Sequence, residues 1–311
     1  MKNKPQAHIK KFSEHAVNLV KHYFGTAPTS LAPLGGGLTN FVYSFSMGKE
    51  EFVVRLSDNS ASLAGFMKEQ WAVSHAQRAG VPVPEILEVG QDIVSFPYMI
   101  QRKVSGSDAT GETDCKDILR EMGHYTAIIH SIRTRGYGPV FDWSKNTLSK
   151  SNTWPSYLKN ELQLPQRIAV LAKHNMLPTT VLSRLRKELK TLEGLNKKPA
   201  LQHGDMRLKN VMVNDKGKIV SIIDWENAVS SIPPYWDLSI ALHDLNIDDK
   251  LYFLEGYGIT QRAFRSIAPA IKAINLVNYA PVVERIVARK DKERLEQYRT
   301  RLQGALDLFM L

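Results

Sequence analysis

Residues 201–226 read LQHGDMRLKNVMVNDKGKIVSIIDWE. His203, Asp205, Arg207, Lys209 and Asn210 crowd into one short stretch that then gives way to apolar residues. A loop that only joins two elements is built from turn formers, whereas a loop that carries chemistry needs ionisable groups. Asp215-Lys216-Gly217 marks a hairpin turn between two β-branched runs, Val211–Asn214 and Lys218–Ile223. With the turn centred near Lys216-Gly217, antiparallel pairing sets Asn210 almost opposite Asp224, so that an amide oxygen and a carboxylate would face one space. Such hard oxygen donors suit Mg²⁺, which keeps several waters and completes its shell with phosphates. Asp205 precedes Asn210 on the loop and not on the strand, which leaves it to accept a proton.

Upstream of this stretch the chain is rich in strand signals. Residues 8–24 have the spacing of an amphipathic helix ended by Gly25. LAPLGGGLTNFVYSFSMGKEEFVVRL then has a strand-turn rhythm, with turns at Gly35-Gly36-Gly37 and Gly48-Lys49. A helix is expected over 61–79, stopping at Gly80, followed by two extended segments in VPVPEILEV and VSFPYMIQRKV. After Ser105-Gly106 the pattern turns helical over 114–132, over much of 155–196 and almost everywhere beyond 235. A β-rich first third and a helical remainder predict an α+β protein of two lobes meeting near residues 101–106. A small ligand is expected in the cleft between them.

Composition narrows the function classes. The 311 residues are 43% hydrophobic and 23% charged, with no repeat or biased tract. No run approaches the ~18 apolar residues of a membrane span, and MKNKPQAHIKK has no apolar core of a secretory signal behind it. Cys115 is the only cysteine, so no internal disulfide forms, and the chain reads as cytoplasmic. The net charge of +10 invites a nucleic-acid reading. Between Lys159 and Lys198, however, nine Lys and Arg interleave with leucines at helical spacing, Leu182, Leu185, Leu189, Leu192 and Leu195, which describes the solvated face of a helix. No nucleic-acid recognition motif is present, and neither a nucleic-acid nor a membrane partner is expected.

His203-Gly204-Asp205, Asn210, and Ile223-Asp224-Trp225-Glu226 after a hairpin together resemble the aminoglycoside phosphotransferase and choline kinase family, small-molecule kinases related to protein kinases. LGGGLTNFVY resembles that family's nucleotide-positioning turn, VPVPEIL its strand after the helix, and PPYWDLSIAL the segment beyond the metal aspartate, so the likeness covers roughly residues 30–260. The Gly-rich turn alone is a weak signal: Asn40 stands where a dinucleotide motif has its last glycine, and no GxxxxGK[ST] occurs. The resemblance implies a two-lobed protein-kinase-like fold. A small antiparallel sheet with one long helix would form a nucleotide-binding lobe over 1–104, and a larger, mainly helical lobe over 105–311 would carry the catalytic loop and substrate pocket.

It also implies roles. Asp205 would be the catalytic base, with Asn210 and Asp224 holding Mg²⁺ on the phosphates of ATP or GTP. Arg207 stands where protein kinases place a lysine beside the transferring phosphate, with a surface salt bridge as the alternative. Gly36, Gly37, Thr39 and Asn40 would line the phosphates, and Gln101, Arg102 and Val104 would meet the base through their backbone. Arg55 occupies the strand end where the family has lysine, and Glu69 the position of its partner. An arginine keeps the charge but binds bidentately and reaches further, so the nucleotide lobe departs from the family here. His203 is expected to brace the loop by hydrogen bonding; its neighbours have no zinc-site spacing.

The acceptor is least defined. Five acidic residues against Lys250 alone, from Asp237 to Glu255, and Glu226 just after Asp224, point to a cationic or amino-bearing alcohol, with ordinary helix-surface acids as the alternative. Trp225, Tyr235 and Trp236 would stack on a sugar or cage an ammonium group unless they pack in the core. The expected activity is ATP-dependent phosphorylation of an aminoglycoside-type antibiotic. A metabolic alcohol such as choline, ethanolamine, homoserine or a sugar is the alternative acceptor, and a nucleotide-binding pseudokinase the alternative class.

Overall fold

The computed structural model describes residues 6–34, 40–139, 151, 153–243 and 245–307, with side chains between residues 12 and 304. Helix α1 (Gln6–Phe24) precedes strands β1 (Ser30–Pro33), β2 (Phe41–Met47) and β3 (Glu50–Leu56). Helix α2 (Ser62–Arg78) and strands β4 (Ile86–Gly90) and β5 (Tyr98–Arg102) complete a five-stranded antiparallel sheet of order β1-β2-β3-β5-β4. Period-two alternation sets its faces. Phe41, Tyr43, Phe45, Phe52, Val54 and Leu56 point to one side and bury against Phe12, Ala16, Leu19 and Val20 of α1. Val42, Val53, Arg55 and Gln101 take the opposite face, which looks into the cleft.

Beyond Val104, the two residues of β6 (Ser107–Asp108) pair with a different sheet. Helix α3 (Lys116–Ser131), the short α4 (Trp154–Ser156), α5 (Leu164–Lys173) and α6 (Thr179–Glu193) follow. Then come β7 (Ala200–Gln202), the hairpin β8 (Val211–Val213) and β9 (Ile219–Ile222), and β10 (Val229–Ser231), which pairs with β7. Helices α7 (Tyr235–Ala241), α8 (Ile247–Tyr257), α9 (Gln261–Val277), α10 (Ala280–Ala288) and α11 (Lys292–Asp307) close the fold. The leucine stripe of α6 is buried at Leu182, Leu185, Leu189 and Leu192 while Arg184, Arg186, Lys187 and Lys190 are exposed. The basic segment is therefore the wet face of an amphipathic helix. Among the described residues, no helix is long and apolar enough to cross a membrane.

Two features of packing position the site. Helix α2 contributes Ala72, Val73 and Ala76 to the core of the helical lobe, and the Ile222 amide donates to the Pro82 carbonyl just past its end (2.8 Å). It is thus built into the large lobe while lying beside the small sheet. Helices α3 and α8 meet backbone to backbone: a Cβ on Gly256 would fall 1.9 Å from the Arg120 carbonyl, and one on Gly123 2.1 Å from that of Phe253. Gly256→Ala is expected to force the two helices apart and to cost about 1–3 kcal/mol, measured by urea denaturation.

Candidate active site

The loop that bears Asp205 folds around one buried carboxylate. Asp237, fully buried at the start of α7, accepts the amides of His203 (2.8 Å) and Gly204 (2.7 Å) and the His130 imidazole Nε2–H (3.1 Å). Its own amide donates to the Gln202 side chain (3.0 Å). Burial alone would raise the Asp237 carboxyl, but the His130 hydrogen bond and the Gly204 amide outweigh it and hold the group below the usual carboxylate range. Gly204 has φ +86° and sits where a Cβ would be 1.9 Å from the Asn227 carbonyl, so only glycine fits between the loop and the turn after Asp224. His203 receives the Asp205 amide on Nδ1 (3.2 Å), which places its proton on Nε2, donated to the Ile223 carbonyl (3.0 Å). Its ring lies 4.6 Å from that of Trp225. The expected bracing role of His203 is what these contacts describe.

Asp205 carries three contacts from its own loop. Arg207 Nε lies 2.8 Å from Oδ1 and Lys209 Nζ 2.8 Å from Oδ2. Asn210 Nδ2 donates to Oδ2 (3.1 Å) and to the Asp205 carbonyl (2.8 Å). With its nitrogen so engaged, the Asn210 amide leaves its oxygen as the ligand end. The hairpin pairs Val211 with Ile222 and Met212 with Ser221, and a bulge that leaves Val220 over before the Val213–Ile219 pair puts Asn210 opposite Ile223, next to Asp224. The Ile223 amide donates to the Asn210 carbonyl (2.9 Å), which still leaves Asp224 one residue away. Asn214 builds the turn, its Oδ1 accepting the Lys216 (3.0 Å) and Lys218 (3.1 Å) amides. Asp224 itself has φ +66°, a left-handed conformation that aspartate and asparagine tolerate better than other side-chain-bearing residues.

A cleft of about 600 Å³ brings the two lobes' residues together. Asn40, Arg55, Glu69, Gln101 and Val104 line it from the sheet side, and Lys209, Asn210, Asp224 and Glu226 from the other. Arg55 grips Glu69 with both terminal nitrogens (2.6 and 3.2 Å), the bidentate pair expected of arginine, and its guanidinium packs 5.1 Å from the Phe66 ring. Gly36, Gly37 and Thr39, and Asp244 of the acidic stretch, lie outside the described residues.

Two expectations need correction, and a third is narrowed to backbone carbonyls. Asp237 does not face a substrate: it is enclosed, and its carboxylate is occupied by the loop it supports. Glu226 turns toward the small sheet, 3.8 Å from Arg55. Arg102 is bound on the outside by Glu50 and Glu85, and its amide and that of Lys103 donate to Glu85 (2.8 Å) and Glu51 (2.9 Å), so neither amide is left for a base. Of the remaining acids, Asp248 and Asp249 lie in the first turn of α8, which Asn246 caps, and Glu255 pairs with Arg120 (2.9 Å). Trp225 and Tyr235 are core residues, and Trp236 is half-buried with its indole N–H on the Gly204 carbonyl (3.4 Å).

Sequence reasoning passed over two lysines. Lys209 was visible, one residue before Asn210, but its approach to Asp205 depends on the loop's curl. Lys68, next to Glu69, is buried, and no local signal marks it. Burial pushes its ammonium down to about 8 against the attraction of Glu69 and Glu226.

Burial likewise pushes the His203 imidazole down, against the pull of Asp237. The unfolded chain therefore takes up a proton near pH 6.5 that the native loop refuses, so stability is full above that pH and declines as pH falls below it. His203→Gln is expected to flatten the part of the stability-against-pH curve below about pH 6.5 that this group contributes, read by denaturant titration at stepped pH.

Residues 30–270 match the model of the phosphotransferase enzyme family known as APH. Hygromycin-B 4-O-kinase of Escherichia coli is 25% identical over 215 residues, which cover 65% of this chain and 58% of that protein, less than two thirds of its length. Among solved structures, a thermostable mutant of the aminoglycoside phosphotransferase APH(4)-Ia superposes with a TM-score of 0.67 at 20% identity, over 94% of this chain and 98% of the other. A ternary complex of such a mutant with AMP-PNP and hygromycin B gives 0.68 at 18% over 94% and 97%. The GDP and kanamycin complex of APH(2")-IIia gives 0.66 at 13% over 94% and 98%. At these identities the superpositions speak for the fold, which is that of aminoglycoside kinases. On the family match, the chain belongs to the phosphotransferase enzyme family.

Proposed function

We propose that the protein transfers the γ-phosphate of a nucleoside triphosphate to a hydroxyl of a small molecule, most naturally an aminoglycoside-type antibiotic. The observation that carries this reading is the Asp205–Asn210 pair: the Asn210 side-chain nitrogen holds Asp205, and Asn210 lines the same cleft as Asp224. The relatives support it, since those in complex hold AMP-PNP with hygromycin B and GDP with kanamycin. On this reading residues 1–104 form the nucleotide lobe and 105–311 the catalytic lobe. Consumption of a nucleoside triphosphate, and a lone cysteine, favour the cytoplasm.

The residues present fit a divalent cation. Asn210 Oδ1 and the Asp224 carboxylate are hard oxygens at one end of the cleft, the donor set of a Mg²⁺ ion that shares its shell with water and phosphate. Bound there, such an ion would neutralise charge on the phosphates. Asp205 would orient the acceptor hydroxyl and take its proton, with the acceptor displacing one of the cations now on its oxygens. Arg207 and Lys209 would meet the negative charge of the transferring group. Arg55, fixed by Glu69, would offer the outer edge of its guanidinium to the remaining phosphates, with Asn40 lining the same cleft.

Arg55 does not favour a pseudokinase, because the pair with the α2 acid forms despite the exchange of lysine for arginine. The acceptor is the open part. Asp237 and Glu226, the acids expected to draw a cationic substrate, are engaged elsewhere, so neutral alcohols stand beside cationic acceptors as candidates. The deciding assay is nucleoside diphosphate release with Mg-ATP and Mg-GTP over aminoglycosides, choline, ethanolamine, homoserine and simple sugars. Asp205→Asn is expected to lower acceptor-dependent turnover by about 10²–10⁴ while Mg-ATP still binds, measured calorimetrically. Equal turnover in the variant would overturn the assignment of the base.

A further inference from the structure

We infer that Lys68 is a positioning residue for nucleotide binding, tying helix α2 to the turn that presents Asp224. The inference rests on the phosphotransferase reading above. The Lys68 ammonium donates to the backbone carbonyl of Glu226 at 2.5 Å, a contact between residues 158 apart in sequence. Lys68 is only 7% exposed, so the hydrogen bond is sheltered from water, where a charge-assisted donor is worth more than at a surface. The acceptor is a main-chain atom. What the contact fixes is therefore the course of the backbone two residues after Asp224, independently of the Glu226 side chain.

That turn is held from two sides. From below, Gly204 of the catalytic loop lies against the Asn227 carbonyl with no room for a side chain. From above, Lys68 holds the adjoining Glu226 carbonyl. Asp224 is thus registered at once to the loop bearing Asp205 and to α2. The same helix carries Glu69, which fixes Arg55 by its two hydrogen bonds. Consecutive residues of α2 therefore address the two halves of the cleft: Glu69 sets the cation on the sheet, and Lys68 sets the carboxylate on the large lobe. The charges alternate, with Lys68 attracted by Glu69 and Glu226, and Glu226 lying 3.8 Å from Arg55. Arginine matters to this arrangement, since its fork engages Glu69 with both nitrogens and still approaches Glu226, which a single ammonium would not do.

Removing the Lys68 charge should therefore disturb the alignment of Arg55 with Asp224, the two groups that share one nucleotide, more than it disturbs acceptor binding. The test compares Lys68→Met, which keeps the length and apolar stem, with Lys68→Arg, which restores a cationic donor. Lys68→Met is expected to raise the KM for Mg-ATP and the calorimetric Kd about tenfold, while the KM for the acceptor stays within about twofold. Lys68→Arg is expected to recover most of the difference. A role in folding alone would lower the thermal midpoint without separating the two KM values. Should Lys68→Met fail to fold, Lys68→Gln is judged by the same ratio. Unchanged Mg-ATP affinity in the folded variant, or an equal rise in both KM values, would overturn the inference alone. Absence of Mg-ATP binding in the unsubstituted protein would overturn the phosphotransferase reading and the inference with it.

Discussion

The whole candidate site hangs from the carboxylate of Asp237. A buried charge is tolerated only when its hydrogen bonds are supplied, and here they come from two consecutive amides of the catalytic loop and from His130 on α3. The arrangement fixes the start of the loop in space, and the rest follows along the chain. His203 turns inward and receives the Asp205 amide, Gly204 fits against Asn227, and Asp205 emerges at the cleft with Asn210 behind it. Strands β8 and β9 then anchor the far end through Val211, Val213 and Ile222, all buried. A loop crowded with ionisable groups would otherwise have many conformations of similar energy.

The division of the core shapes the cleft as much as the loop does. The small sheet buries one face on α1 in an aromatic cluster of its own, and leaves the other face to the ligand. Helix α2, though its sequence falls between strands of that sheet, packs its alanines and Val73 into the helical lobe. Polar contacts reach from it in both directions, to Arg55 and to the Glu226 carbonyl. The lobes thus share a rigid element beside the ligand space.

What the sequence disclosed was whatever chemistry lies close along the chain. The spacing of Asp205, Asn210 and Asp224 was legible because a loop and a hairpin bring them together with few degrees of freedom. So were the strands of the sheet, where apolar alternation agrees with burial at Phe41, Tyr43 and Phe45. The register was legible to within one residue: a turn centred on Lys216-Gly217 sets Asn210 beside Asp224, and the bulge at Val220, which nothing in the sequence announces, keeps the outer pairs in that frame. Acids were misread where burial is decided by distant partners. Asp237 looks the same in sequence whether it faces a substrate or is enclosed by His130, 107 residues earlier. Arg102 was placed correctly on the joining strand, but the flanking Glu50 and Glu85 claim its side chain. Lys68 was invisible for the converse reason: a lysine on a helix reads as a solvated charge, and only the docking of α2 encloses it.

The notch where α3 and α8 touch lies outside the cleft but is connected to it. Tyr257, next to Gly256, places its hydroxyl 2.8 Å from His130, whose other nitrogen serves Asp237. Any single-base change in a glycine codon that alters the residue adds at least a Cβ, and at Gly256 or Gly123 there is no space for one. These two positions should therefore be mutational cold spots under drift, as intolerant as the residues of the cleft itself. A lesion there would reach beyond the helices that carry it, through a tyrosine and a histidine, to the loop that Asp237 holds.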